Sequence, residues 1–497
     1  ILKPYVSKTT YRNLITSFQN QTVSLLPTMN TTYRSDLPIL QTIIERGKAE
    51  HKDYQYDGVS WCIKQEKNFG SKPSGGLLAD EMGLGKTLTV MGVIMENLKR
   101  RTLIVLPVAL LTQWHDQILR FTGHRALIYH GRNKHVDDDT LLYAPIVLTS
   151  YAAISFNKKK QNFGRLHKIH WNRIIFDEAH HLRNASTAKF AGAAVLHAET
   201  RWFVTGTPIQ NKKRDLVSLS VLLGVTPTEL IDTYMLRRTK ESVGLILPPA
   251  IEHTRNVTWD TEEERDLAEE FHSHLPFSNV SSAKSSTVSL LLSETPLVAI
   301  TRAKQLCTMP SLLTHHMKEL VEKEVIEPNH PRLKGSTFTS KLDAVVDQIV
   351  INQNNNNRKL VFCTYRREMD FLKQSLLDEG INTFIVDGRS KKALSNCQHA
   401  DVLILQIQTC CEGLNLQSFS EVYFVTPHWN PFVEQQAVAR CHRFGQEREV
   451  HIYRFFMSPY DFTRRSGSSA TPVTFDNHVA CVQQEKLALA QEFIQDP

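Results

Sequence analysis

Short runs of branched apolar residues alternate with longer segments of helical periodicity, and they do so in two separate blocks of the chain. Uninterrupted apolar runs predict strands buried on both faces. Their alternation with helical segments predicts parallel sheets covered by helices, hence two α/β domains. In the first block the strand candidates are Leu103 to Leu106, Ile146 to Leu148, Ile174 to Phe176 and Trp202 to Thr205. In the second they are Leu360 to Phe362, Phe384 to Val386, Val402 to Leu405 and Val422 to Val425.

Between the blocks, from Thr226 to Gly335, no strand pattern is visible and the text turns helical and polar, with a Ser-rich stretch from Ser278 to Ser289 that reads as a loop. A helical insertion plus linker is expected there. Asn352 to Asn357 reads as a solvated turn, and no internal repeat is visible. The expected division is 1–45, a segment of no assigned role; 46–225, the first α/β lobe; 226–335, the insertion; 336–480, the second lobe; and 481–497, a tail.

Length and composition narrow the class. The 497 residues suffice for about three domains, and 41% hydrophobic with 22% charged residues is ordinary for a folded protein. Fifty-eight Lys and Arg against 51 Asp and Glu give a net charge of +7, which suits a polyanionic partner without demanding one. The eight cysteines show no C-x-x-C spacing, so no zinc module is expected, and a reducing compartment, cytosol or nucleus, is. Neither an apolar run long enough to span a membrane nor a secretory leader is visible, so no membrane partner is expected.

The candidate chemistry begins with Asp80, Glu81, Met82, Gly83, Leu84, Gly85, Lys86 and Thr87, which follow the apolar Gly76 to Ala79 and precede a helical run from Leu88 to Leu98. At a strand-to-helix turn, glycines let backbone amides approach phosphate, the helix N-terminus favours an anion, Lys86 supplies charge and the Thr87 hydroxyl can ligate Mg2+. Asp80 stands where the strict phosphate-loop pattern has glycine, and a Gly-rich turn capping a helix reads similarly in isolation.

A second apolar strand ends in Asp177 and Glu178, followed by Ala179 and His180. Asp177 there can hold the Mg2+, and Glu178 can polarise a water for in-line phosphoryl transfer; plain N-terminal capping is the alternative. Thr205, Gly206, Thr207 and Gln210 follow a third strand and could sense the γ phosphate, or simply build a turn. Upstream, the amide of Gln55 could read an adenine edge. In the second block Arg440 and Arg443 stand three residues apart, hence on one face of a predicted helix, where guanidinium groups suit a triphosphate.

Taken in order, Asp80 to Thr87, Leu103 to Pro107 with Gln113 and Trp114, Asp177 to His180, Thr205 to Asn211, Lys359 to Phe362, Glu412 to Leu416, and Trp429-Asn430-Pro431 ahead of Gln435 to Gln446 resemble the Swi/Snf-type (Snf-like) ATPases of helicase superfamily two. The resemblance spans Leu40 to Phe455. It implies two RecA-like lobes and a motor that uses ATP and Mg2+ to move along double-stranded DNA and shift bound protein. It assigns Gln55 to adenine, Lys86 and Thr87 to triphosphate and metal, Asp177 and Glu178 to catalysis, and Arg440 and Arg443 to an arginine finger. Tyr234 to Lys240, followed by Leu247-Pro248-Pro249, is similar to the family's connection between lobes.

The implied partners are duplex DNA and DNA-bound proteins such as nucleosomes or polymerase complexes. The implied site of action is the nucleus or another DNA-containing compartment such as a viral replication site. Two departures stand out: a shortened helix after Asp387-Gly388-Arg389, and Cys410-Cys411-Glu412 where the family has small residues. A strand-separating DNA or RNA helicase and a catalytically weak DNA-bound scaffold remain open alternatives.

Overall fold

The computed structural model describes residues 37–67, 73–156, 163–208, 214–273, 275, 296–313, 322, 338–387, 399–410, 416–459 and 474–495. Gln210, the Ser-rich stretch, Gly388 to Gln398 and Cys411 to Asn415 lie outside them. The chain divides into two compact units, residues 1–246 with 488–497, and residues 247–487.

The first unit is built on β1 (Ser74–Leu78), β2 (Thr102–Leu106), β3 (Leu127–Tyr129), β4 (Ile146–Ser150), β5 (His170–Asp177), β6 (His197–Val204) and β7 (Met235–Leu236). They form one seven-stranded sheet in the order β3-β4-β2-β5-β6-β1-β7, parallel throughout. Every residue of β2 is buried because the sheet is covered on both faces. Leu103 and Val105 enter one apolar cluster with Phe176 and Phe203, whereas Ile104 and Leu106 enter the other with Ile175 and Trp202. This period of two assigns alternate residues of each strand to opposite layers of the core.

The second unit holds β8 (Ala250–Val257), β9 (Lys359–Cys363), β10 (Thr383–Val386), β11 (Val402–Gln406), β12 (Glu421–Phe424) and β13 (Val450–Met457). Their order is β10-β11-β9-β12-β13-β8, again parallel. Leu360 and Phe362 face one core layer and Val361 and Cys363 the other. Both sheets are thus doubly covered α/β lobes.

Three features differ from the sequence reading. The strandless stretch after Thr226 contains β7 and β8, one in each sheet, so the first lobe continues to Ile246 and the second begins at Leu247. β8 escapes detection because it is an edge strand with one mostly solvated side, and Glu252, His253, Thr254, Arg255 and Asn256 break up its apolar pattern. The helices Glu262–Ser273 and Pro296–Thr308 place Ala268, Ala299, Ala303 and Leu306 in the second lobe's core, so their described parts belong to that lobe.

Finally, the Asn-rich turn is not merely solvated. The amides of Asn352, Asn355 and Asn357 donate to the carboxylate of Glu421, which is fully buried at the start of β12 beside Lys359. A carboxylate held at such depth needs these donors and a cation to offset its lost hydration.

Candidate active site

β5, β6 and β1 are neighbours in the first sheet and run the same way, with Asp177 registered on Val204 and Leu78 on Val204 from the other side. Their carboxyl ends therefore deliver three segments to one edge: Asp177 and Glu178 from β5, Thr205 to Thr207 from β6, and Asp80 to Thr87 from β1. In open α/β sheets this edge is where ligands bind.

The loop from Asp80 turns through Gly83 (φ 95°) and Gly85 (φ 78°), and Gly85 caps the helix Lys86–Glu96. Both angles lie in the left-handed region that glycine adopts without strain. A Cβ on Gly85 would also sit 2.5 Å from Gln55 Nε2, so the glycine admits that amide. Gln55 is buried; its Nε2 donates to Leu84 O at 3.5 Å, and its Oε1 has no hydrogen-bond partner. Lys86 Nζ donates to the carbonyls of Asp80 (2.8 Å) and Glu81 (3.3 Å). A Cβ on Gly206 would lie 2.7 Å from Met82 Cγ and 3.1 Å from Lys86 Nζ, which puts the segment after β6 directly over the loop. Thr205 is buried, and its hydroxyl accepts from Thr207 N at 3.2 Å.

Asp80 and Glu81 do not turn their carboxylates toward this space. Asp80 Oδ1 accepts from Arg238 Nε at 3.0 Å and from Arg238 N at 3.1 Å, and Glu81 pairs with Lys240 Nζ at 3.1 Å. Lys240 N also donates to Glu81 Oε2 at 2.8 Å. What these two residues present to Lys86 is main-chain carbonyls.

Asp177 is buried, and Trp114 Nε1 donates to its Oδ2 at 2.8 Å while Tyr151 Oη donates to its carbonyl at 2.7 Å. Burial, and next the Glu178 carboxylate, push Asp177 up to about 7; the hydrogen bond from Trp114 and the charge of Lys86 oppose them. A buried carboxylate raised by desolvation and a second carboxylate is a donor that a divalent cation would return to its ionised form, so the chemistry of Asp177 fits a cation such as Mg2+. Glu178 has φ 50° and ψ 51° and donates its N–H to Asp177 Oδ1 at 3.0 Å. A left-handed glutamate costs about 1–3 kcal/mol, which the surrounding structure must hold in place. The turn brings Glu178 Oε2 to 3.3 Å from His180 Nδ1.

Arg440 and Arg443 lie in the second lobe, but not on a helix. The helix Pro431–Val438, capped by Asn430, stops two residues before Arg440. Gln446 Nε2 donates to the carbonyls of Gln417 (2.9 Å), Phe419 (2.9 Å) and Cys441 (3.2 Å), and Gly445 takes φ 90°. Those bonds draw the segment into turns. Arg443 is largely desolvated beside Arg440, which lowers its pKa, and its Nε is buried without a hydrogen-bond partner.

Gln55, the loop, Asp177, Glu178 and Thr205 to Thr207 are thus assembled in the first lobe. Sequence reasoning gave no role to Tyr151, and it quoted Arg238 and His180 only within longer motifs. Trp114 it quoted only as part of a pattern. A buried indole in an amphipathic helix looks like core, and nothing in the text announces a hydrogen bond.

A phosphate loop, an acidic pair and a hydroxyl-bearing turn on adjacent parallel strands define an ATP-hydrolysing lobe of the helicase type. Residues 54–229 match the SNF2-related domain, and residues 340–445 match the Helicase conserved C-terminal domain. The chain is 26% identical to the "Probable global transactivator" of Orgyia pseudotsugata multicapsid polyhedrosis virus, over 82% of this chain and 86% of that protein. It is 25% identical to the ATP-dependent DNA helicase DDM1 of Arabidopsis thaliana (85% of this chain, 62% of that protein). To the ISWI chromatin-remodeling complex ATPase ISW2 of Saccharomyces cerevisiae it is 26% identical (85% and 40%). It therefore spans 62% and 40% of the length of these two cellular relatives, less than two thirds of either. A solved structure, the Sulfolobus solfataricus SWI2/SNF2 ATPase core in complex with dsDNA, is 24% identical over 82% of this chain and 88% of that one, with a TM-score of 0.38. The chain belongs to the Snf2-related ATPases of helicase superfamily two and is an enzyme of the DNA-dependent ATPase class.

Proposed function

We propose that this chain is a motor that hydrolyses ATP to translocate along double-stranded DNA and to shift or displace proteins bound there. The observation that carries the reading is the meeting of Lys86, Asp177, Glu178 and Thr205 to Thr207 at the ends of three adjacent strands.

In this reading Gln55 reads the adenine edge, and its unsatisfied Oε1 is available to the exocyclic amine. The amides of Met82 to Thr87 and the Lys86 ammonium bind the β and γ phosphates. Thr87 and Asp177 hold Mg2+, which supplies neutralisation of the developing phosphate charge. Glu178 orients and polarises the attacking water. Thr205, Gly206, Thr207 and Gln210 respond to the γ phosphate. Arg443, whose Nε is buried without a hydrogen-bond partner, and Arg440 beside it are the candidates for an arginine finger that stabilises the transferring phosphoryl.

The named relatives include a chromatin-remodelling ATPase and a viral transactivator. They support DNA-bound protein, nucleosomes or polymerase complexes, as cargo, and the nucleus or a viral replication site as the place of action. Displacement of a third strand from a duplex tests translocation: ATP-dependent release by wild type and none by Lys86→Ala supports it. Robust ATP turnover with no release contradicts it.

A further inference from the structure

Asp80 is fully buried, yet it lies at the head of the phosphate loop. Its partner is Arg238, which comes from the chain just after β7, 158 residues away in sequence. Arg238 meets both carboxylate oxygens: Nε and the backbone N–H donate to Oδ1, and Nη2 donates to Oδ2. The same guanidinium donates through Nη1 to the carbonyl of Tyr54 and lies over the Tyr54 ring at 5.5 Å from its centroid. Tyr54 is the residue before Gln55, in the helix Asp53–Lys67.

One turn further along that helix stands Gly58. A Cβ there would lie 2.6 Å from Arg238 Nη2, so the missing side chain is what lets the guanidinium pass between helix and loop. The main chain repeats the connection. Leu77 N donates to Tyr234 O, Ala79 N to Leu236 O and Glu81 N to Arg238 O, at 2.7, 2.7 and 2.8 Å. Lys240 then closes on Glu81. A few residues on, at Ile246, the first unit ends.

We infer that Arg238 is a positioning residue for the nucleotide: clamped by Asp80, it fixes the phosphate loop against the Gln55 helix and ties both to the segment that leads out of the first lobe. The inference rests on the reading of Gln55 and the 80–87 loop as the ATP site. A planar guanidinium with several donors in a fixed fork satisfies Asp80 and Tyr54 together, which a lysine ammonium does not. Base and phosphates bind on different elements, so a small displacement between them weakens binding although every contacting residue is intact.

The test uses the full chain, a fluorescently labelled ATP and steady-state hydrolysis. Arg238→Gln, and independently Gly58→Ala, which displaces the guanidinium while leaving both charges in place, should raise the nucleotide Kd and the KM for ATP by about tenfold, with kcat at saturating ATP changed far less. Arg238→Lys should recover part of the affinity. A purely structural role would lower the melting temperature and leave Kd and KM alone.

If Arg238→Gln fails to fold, Gly58→Ala decides. A Kd within about twofold of wild type in the folded variant overturns the assignment, whatever happens to kcat. Lys86→Ala separates this failure from a wrong site: if it too binds and hydrolyses ATP normally, the loop reading falls; if it abolishes turnover while Gly58→Ala binds like wild type, only the clamp falls.

Discussion

The indole Nε1 of Trp114 donates to Oδ2 of Asp177 at 2.8 Å, and both side chains are buried. Trp114 sits in the helix Leu111–Thr122 that follows β2, Asp177 at the end of β5, and those two strands are paired. The core of the lobe thereby orients the carboxylate proposed for the metal.

Trp114→Phe keeps most of the apolar bulk and removes the donor. A hydrogen bond to an ionised group contributes about 1.5–3 kcal/mol, so kcat for ATP hydrolysis should fall by roughly 10- to 100-fold with little change in fold. Steady-state kinetics beside a thermal melt checks this. Unchanged kcat would mean that Asp177 is oriented by other contacts.

Glu178 occupies left-handed backbone at φ 50°. Glu178→Gln should abolish turnover while leaving DNA binding intact. Glu178→Gly should be inactive too, yet more stable than Glu178→Ala by about 1 kcal/mol, because only glycine adopts that conformation freely. Denaturant unfolding of the two variants reads the difference, and equal stabilities would show that the strain is relieved elsewhere.

Arg173 and Glu66 form an ion pair with both side chains wholly buried. Arg173 Nε donates to Glu66 Oε1 at 2.6 Å, and Trp202 Nε1 donates to the same oxygen at 2.8 Å. The pair pins the helix carrying Gln55 to β5 and β6. Arg173→Met should cost about 3–5 kcal/mol by stranding the carboxylate, and adding Glu66→Leu should recover part of that loss. Denaturation of the single and double variants measures it, and additive losses would contradict the account.

Glu368 is buried in the second lobe. Its Oε1 accepts from Thr364 N at 2.6 Å, and its Oε2 has no hydrogen-bond partner. Burial pushes it up to about 7. A carboxyl raised in the fold stabilises below its unfolded value near 4.5, and that contribution is lost as pH climbs through 7. Glu368→Gln, which does not titrate, should match wild type near pH 4.5. It should be more stable at pH 8, by on the order of 1–3 kcal/mol. A stability difference independent of pH would contradict the assignment.

The strands β2, β4, β5, β6, β9, β10, β11 and β12 were legible because they are nearly continuous apolar runs, and the strand-to-helix turn at 80–87 because its glycines follow an apolar run and precede a helical one. The short β3 and β7, and β13 with its polar His451 and Arg454, were not singled out. Nor was β8, since an edge strand need not be apolar. Arg440 and Arg443 were misplaced onto a helix because the carbonyls that Gln446 captures lie far apart in sequence, at Gln417 and Phe419. Asp80 was read as a phosphate-loop residue on position alone. Its partner Arg238 becomes visible only when β7 pairs with β1.

The steady-state ATPase rate at one fixed moderate salt concentration, with no nucleic acid, duplex DNA, single-stranded DNA or RNA, tests a duplex-driven ATPase motor most directly. Duplex should stimulate strongly, single strands and RNA little, and Lys86→Ala should show no turnover. Stimulation chiefly by single strands or RNA, or turnover indifferent to all three, would contradict such a motor.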